Sequence, residues 1–174
     1  MFRRPNPAWS AAEVEALIAE VSPELLAYLT RRTQPVDDAA DVLAETLLTI
    51  WKRRADIPPT RDCARAWMFV TARNHLMNHA RGQARRHALA DRLRDNLAGY
   101  DEAAPSGDDR AELVRDALGA LPPEDQELIG LIIWDGFGVA EAGAIMGLSA
   151  STSRSRYSRA KARFARALEG LQQP

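Results

Sequence analysis

One stretch, VAEAGAIMGLSASTSRSRYSRAK from Val139 to Lys161, constrains the fold of this chain more than any other. Two runs of helix-forming residues meet at Gly147-Leu148-Ser149. Glycine can take the left-handed conformation that ends a helix, and serine can cap the helix that follows. Leu148 lies between them, where a side chain can fill the gap between two crossing helices. Ala142 and Ala144 are small where a second helix must approach closely. Beyond the turn, Tyr157, Ala160, Phe164 and Leu168 recur at helical spacing, with polar and basic residues on the other side. This grammar predicts a short helix over 139–146, a tight turn, and a final helix over 150–168. Ser153 falls on the apolar stripe, where Val or Ile would pack better.

A helix-turn-helix places the start of its second helix in the DNA major groove. Side chains there meet base edges, and Arg can make paired hydrogen bonds to guanine. Ser151, Thr152, Arg154, Ser155, Arg156 and Arg159 are the candidates for that role. Lys161 and Arg163 are suited to phosphates, which fix position without reading sequence. Charge supports the assignment only locally. The whole chain carries 23 Lys and Arg against 24 Asp and Glu, so it has no global attraction to nucleic acid. From Ser149 onward, however, six basic residues (Arg154, Arg156, Arg159, Lys161, Arg163, Arg166) face one acid, Glu169. From Asn96 to Asp116 there are six acids and two arginines.

The remaining sequence also reads as helix, and the expected class is all-α. Ser10 and Glu13 form a capping-box pattern. Val14, Leu17, Ile18, Val21, Leu25 and Leu29 follow at helical spacing, with Ser22-Pro23 as a break that divides the stretch in two. A second helix opens at Asp37 or Asp38 and ends in Lys52, Arg53 and Arg54, an order that complements the helix dipole. Leu43, Leu47, Ile50 and Trp51 line one side of it. Ile57-Pro58-Pro59-Thr60 forces a loop. A long helix runs from about Ala64 to at least Arg86, with Trp67, Val70, Leu76 and Met77 as its buried side. Gly99 to Asp109, GYDEAAPSGDD, has the composition of a flexible acidic linker. Two small helical domains result, over 10–95 and 110–170, joined by 96–109. The second holds Leu113, Ala117 and Leu118 on one helix. Another starts near Pro122 and carries Leu128, Ile129, Ile132 and Ile133.

Cys63 is the only cysteine, so no internal disulfide can form, in keeping with a reducing cytoplasm. No apolar run approaches the length of a membrane span. A cytoplasmic protein without membrane insertion is expected.

Two blocks narrow the function. DDAADVLAETLLTIWKRR with ARAWMFVTARNHLMNHARGQARR resembles region 2 of the extracytoplasmic-function sigma factors of the sigma-70 family. ALGALPPEDQELIGLIIWDGFGVAEAGAIMGLSASTSRSRYSRAKARF resembles their region 4. The resemblance covers residues 10–92 and 110–168, in the family's order. It implies a transcription initiation factor that binds core RNA polymerase and directs it to promoter DNA. Asp41, Glu45, Leu48 and Lys52 would dock on the clamp helices of the largest polymerase subunit. The helix carrying Trp67, Arg73, Asn74, Asn78, His79 and Arg81 would read the minus-ten element, and the loop 56–62 would capture a base flipped from the opening duplex. Arg81, Arg85 and Arg86 are suited to phosphate contact. The second helix of the helix-turn-helix would read the minus-thirty-five element. An anti-sigma factor is the implied regulatory partner.

No catalytic residue, cofactor or metal is expected. His75 and His79 stand four apart on a helix, but no third and fourth ligand follow at metal-site spacing. Two alternatives stay open on sequence: a stand-alone helix-turn-helix regulator, and a sigma-like decoy that binds an anti-sigma factor.

Overall fold

A computed structural model describes the backbone of residues 9–94 and 109–171, and the side chains of 9–85 and 113–171. The chain divides into two compact units, Met1–Leu97 and Ala98–Pro174. The elements among the described residues are all helices, and none of them is long and apolar enough to cross a membrane. The acidic stretch read as a linker lies outside the described residues up to position 108, and its last residue, Asp109, begins a helix; the side chains of Arg86 and His87 also lie outside them.

Unit 1 holds α1 (Ala11–Thr30), α2 (Asp38–Lys52) and α3 (Arg61–Arg94), with a short 3-10 turn, Arg54–Asp56, between the last two. The capping box at the start of α1 is formed: Glu13 N donates to Ser10 Oγ, and Ser10 N donates to Glu13 Oε2 at 2.7 Å. The backbone bond from Ser10, then its hydroxyl, hold the Glu13 carboxyl below its ordinary pKa. A depressed carboxylate pKa stabilises the fold above the unfolded value, and the contribution is lost as pH falls through the folded one. Glu13→Gln should therefore lower Tm at pH 7, with the gap to wild type closing as the pH is taken below the ordinary carboxylate range. Thermal unfolding at several pH values checks this.

Ser22-Pro23 does not break α1. Pro23 sits exposed inside one continuous helix, and Ser22 Oγ donates to Ile18 O at 2.5 Å. Val14, Leu17, Val21, Leu25 and Leu29 are buried on both sides of the proline, so tertiary burial carries the helix through a local defect. Tyr28 is also fully buried and meets Phe69 of α3 edge to face at 5.3 Å. Arg61–Glu20 and Arg65–Glu24 tie the start of α3 to α1 at the surface.

The buried faces of α2 and α3 differ from the expected ones. On α2 the core positions are Ala39, Val42, Thr46 and Ile50, while Leu43, Leu47 and Trp51 are half-buried. On α3 they are Ala64, Met68, Phe69, Thr71 and Ala72; Trp67, Val70 and Leu76 are half-buried, and Met77 is exposed. Small residues are among those buried, and the Thr46 and Thr71 hydroxyls are satisfied by the carbonyls of Val42 and Trp67. Hydroxyls satisfied within their own helix can be buried at little cost.

Unit 2 holds α4 (Asp109–Gly119), α5 (Pro123–Ile133), α6 (Val139–Ile145) and α7 (Ala150–Leu171). Pro123 is the first helical residue of α5, where its missing N–H costs nothing. Leu118, Leu121, Ile129 and Ala160 form a core, with Val114, Tyr157 and Phe164 packed against it. Leu128, Leu131, Phe137, Ala142 and Ile145 are also buried. Ile133 is 64% exposed at the end of α5.

Candidate DNA-binding and partner faces

Both turns that frame α6 use a glycine at positive φ, Gly136 at 71° and Gly147 at 76°. After α6, Leu148 N donates to Gly143 O and Gly147 N to Ala144 O, which closes the helix with the paired bonds of a Schellman motif. Ser149 Oγ then accepts from Thr152 N at 3.2 Å, the expected cap of α7. The close approach between α6 and α7 falls at Gly143, not at the alanines: a Cβ on Gly143 would lie 1.6 Å from Ser153 Oγ and 2.5 Å from Ser153 Cβ. Ala142 is buried, but Ala144 is exposed. This contact accounts for Ser153. The residue is fully buried, its hydroxyl donates to Ser149 O at 2.7 Å, and a branched apolar side chain there would have no room beside Gly143.

The structure sorts the candidate residues of α7 by face. Ser151 and Ser155 are exposed on the side opposite Ser153 and Ala160, and Arg154 and Lys161 are exposed on the flank nearer Tyr157. Thr152 and Arg159 are exposed on the other flank, where Arg159 Nε donates to its own helix at Ser155 O. Arg156 lies between that flank and the buried side and is turned toward α5. Its guanidinium bonds Glu124 in the first turn of α5 and lies 3.7 Å from Asp125, with its side chain only 24% exposed. Its Nε is buried without a hydrogen-bond partner among the described residues. Arg163 also bonds Asp125. Sequence reasoning missed the two acids of α5, because acids in a first turn read as ordinary partners of the helix dipole. Nothing local links Asp125 to arginines more than thirty positions away.

On α2, Asp41, Glu45, Leu48 and Lys52 are all exposed and lie along one row, separated by three or four residues. Leu48 is 58% exposed in the middle of that charged row. Glu45 also reaches His75 Nδ1 at 3.4 Å, and His75 Nε2 is 2.8 Å from Thr49 Oγ1.

On α3, Asn74, Asn78, Arg81 and Arg85 are exposed and share one face. Arg81 donates to Asn78 Oδ1 at 2.6 Å, and Asn78, Arg81, Ala84 and Arg85 line a shallow open groove. Arg73, half-buried, lies about a quarter-turn from Asn74. His79 is not in this row. It faces α2, with Nε2 3.0 Å from Asp38, which also accepts from Gln83 at 2.6 Å. Trp67 is half-buried, and the Arg53 guanidinium stands 5.5 Å over its ring. In the 56–62 loop, Ile57 is buried and Pro58 O accepts from Trp9 Nε1 at 2.7 Å.

A two-unit helical chain with a helix-turn-helix at the end of its second unit matches two family models in order: Sigma-70 region 2 over residues 17–86 and Sigma-70 region 4 over residues 111–164. The chain is 30% identical over 152 residues to the ECF RNA polymerase sigma factor SigL of Mycobacterium tuberculosis, covering 86% of this chain and 85% of that one. It is similar in fold to the sigma factor RpoE of Bartonella quintana, solved in complex with the anti-sigma factor NepR (TM-score 0.69, 26% identity, 89% of this chain and 96% of that one). It is also similar to CnrH, solved in complex with the cytosolic domain of CnrY (TM-score 0.65, 25% identity, 94% of this chain and 92% of that one). The chain belongs to the ECF RNA polymerase sigma factors of the sigma-70 family, and is a transcription initiation factor.

Proposed function

We propose that unit 1 binds core RNA polymerase and the minus-ten element, that unit 2 reads the minus-thirty-five element, and that residues 96–109 link them. The observation that carries this reading is the presence, in one sigma-family chain, of a capped recognition helix and a separate charged row around an exposed leucine. Asp41, Glu45, Leu48 and Lys52 form the docking row for the polymerase clamp helices. Asn74, Asn78, Arg81 and Arg85 face the opened minus-ten strand, where amides hydrogen-bond unstacked bases and guanidinium groups hold phosphates. Arg73 borders that face, and His79 supports it from behind through Asp38. Ser151, Thr152, Arg154, Ser155 and Arg159 meet base edges in the minus-thirty-five groove, while Lys161 touches the adjoining backbone.

Each DNA contact is small, and joining them on one polymerase raises the effective concentration of the second once the first is made. The protein performs no chemistry of its own and acts in the cytoplasm, where the polymerase is. Its relatives' complexes support an anti-sigma factor as the partner that holds it inactive. Footprinting tests the reading: the chain with core polymerase should protect two separated patches upstream of a transcript start, and the free chain neither. Protection by the free chain alone would favour a stand-alone regulator.

Arg154 is exposed and makes no ion pair among the described residues. Arg154→Ala should cut promoter use about tenfold, the loss of one good base contact of about 1–3 kcal/mol, with no change in Tm. Abortive-transcript yield and thermal unfolding measure the two.

A further inference from the structure

We propose that Asp125 is a positioning residue for promoter reading: its buried carboxylate fixes the roll of α7 through Arg156 and Arg163, and Arg156 is a strut and not a DNA ligand. The inference rests on the minus-thirty-five role given above to the outward face of α7.

Asp125 is 3% exposed, in the first turn of α5. A carboxylate withdrawn from water has to be paired, and both of its partners come from α7. Arg156 and Arg163 are seven residues apart, two turns and about 10 Å along the helix axis. A single ion pair lets a helix pivot about the contact. Two pairs converging on one fixed carboxylate from positions two turns apart resist both roll and slide. Glu124 adds a second acceptor for Arg156.

The apolar contacts of α7 cannot supply this alone. Ala160, Tyr157 and Phe164 pack against Leu118, Leu121 and Ile129, and such contacts are non-directional. A roll of about 20° would move a side-chain tip on α7 by about 2 Å, more than hydrogen-bond geometry to a base edge tolerates. The price of losing the clamp is therefore paid in sequence discrimination. Arg156, with its guanidinium committed to α5, adds no cation to the DNA face.

The test uses the full chain with core polymerase. Its probes are a promoter duplex selected by the wild-type holoenzyme from DNA randomised in the upstream element, and the same duplex with that element scrambled. Asp125→Asn should lower the selected-to-scrambled affinity ratio about tenfold and leave affinity for the scrambled duplex and its salt slope unchanged. Arg163→Met, at a side chain 45% exposed, should lower the ratio several-fold, and it carries the test if Asp125→Asn fails to fold. Arg156→Ala should leave the salt slope unchanged, whereas removing a true phosphate contact would reduce the slope by about one. An unchanged ratio in Asp125→Asn and Arg163→Met, or that loss of slope in Arg156→Ala, overturns the clamp. Failure of the wild-type holoenzyme to select any upstream element overturns the minus-thirty-five reading itself, and the clamp with it.

Discussion

Gly143→Ala is expected to destabilise unit 2 by about 3 kcal/mol, lowering its Tm by roughly 15 °C for a domain of this size. The added Cβ would sit 1.6 Å from Ser153 Oγ and 2.5 Å from Ser153 Cβ. Rotating the hydroxyl away removes only the first clash. The second requires α6 and α7 to separate, which opens the core behind them. A small domain has little stability to spare, so the variant should lose minus-thirty-five discrimination through unfolding and not through any lost contact. Ser153→Gly in the same chain should restore part of the loss, because it empties the space that the alanine needs. Ser153→Val alone should be destabilising too, since it removes the bond to Ser149 O and enlarges the side chain facing Gly143. Thermal unfolding of the full chain followed by circular dichroism checks all three variants.

The second large effect is expected at Leu48. Leu48→Glu should weaken binding to core polymerase at least thirtyfold, on the order of 2 kcal/mol or more for an anchor at the centre of an interface. The leucine is 58% exposed, so the fold does not depend on it, and Tm should be unchanged. Its neighbours Asp41, Glu45 and Lys52 form a charged rim, and a fourth charge in the apolar centre would have to be desolvated without a partner on binding. Sedimentation of the labelled variant with core polymerase reads the affinity directly. Binding equal to wild type would remove the row from the docking surface.

How much of this is legible in sequence depends on whether the cause is local. The Gly147 turn, the Ser149 cap, the Ser10–Glu13 box and a proline at the start of α5, read one residue early at Pro122, are properties of a few adjacent residues, and all of them can be read without a structure. The exposed row on α2 is legible for a similar reason, since spacing alone sets which residues share a helix face. The core faces of α2 and α3 are less so. A large apolar residue is assumed to point inward, yet Ala39, Thr46 and Ala72 are buried while Leu43, Leu47 and Trp67 are half-buried. Pro23 misleads for the opposite reason: its local penalty is real, but burial of Val21 and Leu25 on either side outweighs it. Long-range pairing is least legible. That Arg156 bonds Glu124, that His79 faces Asp38, and that Gly143 makes room for Ser153 are consequences of the assembled helices. These are also the contacts that separate residues facing outward from residues holding the units together.

The most direct test is run-off transcription from a library of genomic fragments, with core polymerase alone and with core polymerase plus this chain. Discrete new transcripts, starting at sites that share two short upstream elements and appearing only when the chain is added, are the predicted result. A chain that binds core yet gives the same transcripts as core alone, across the whole library, would contradict the account.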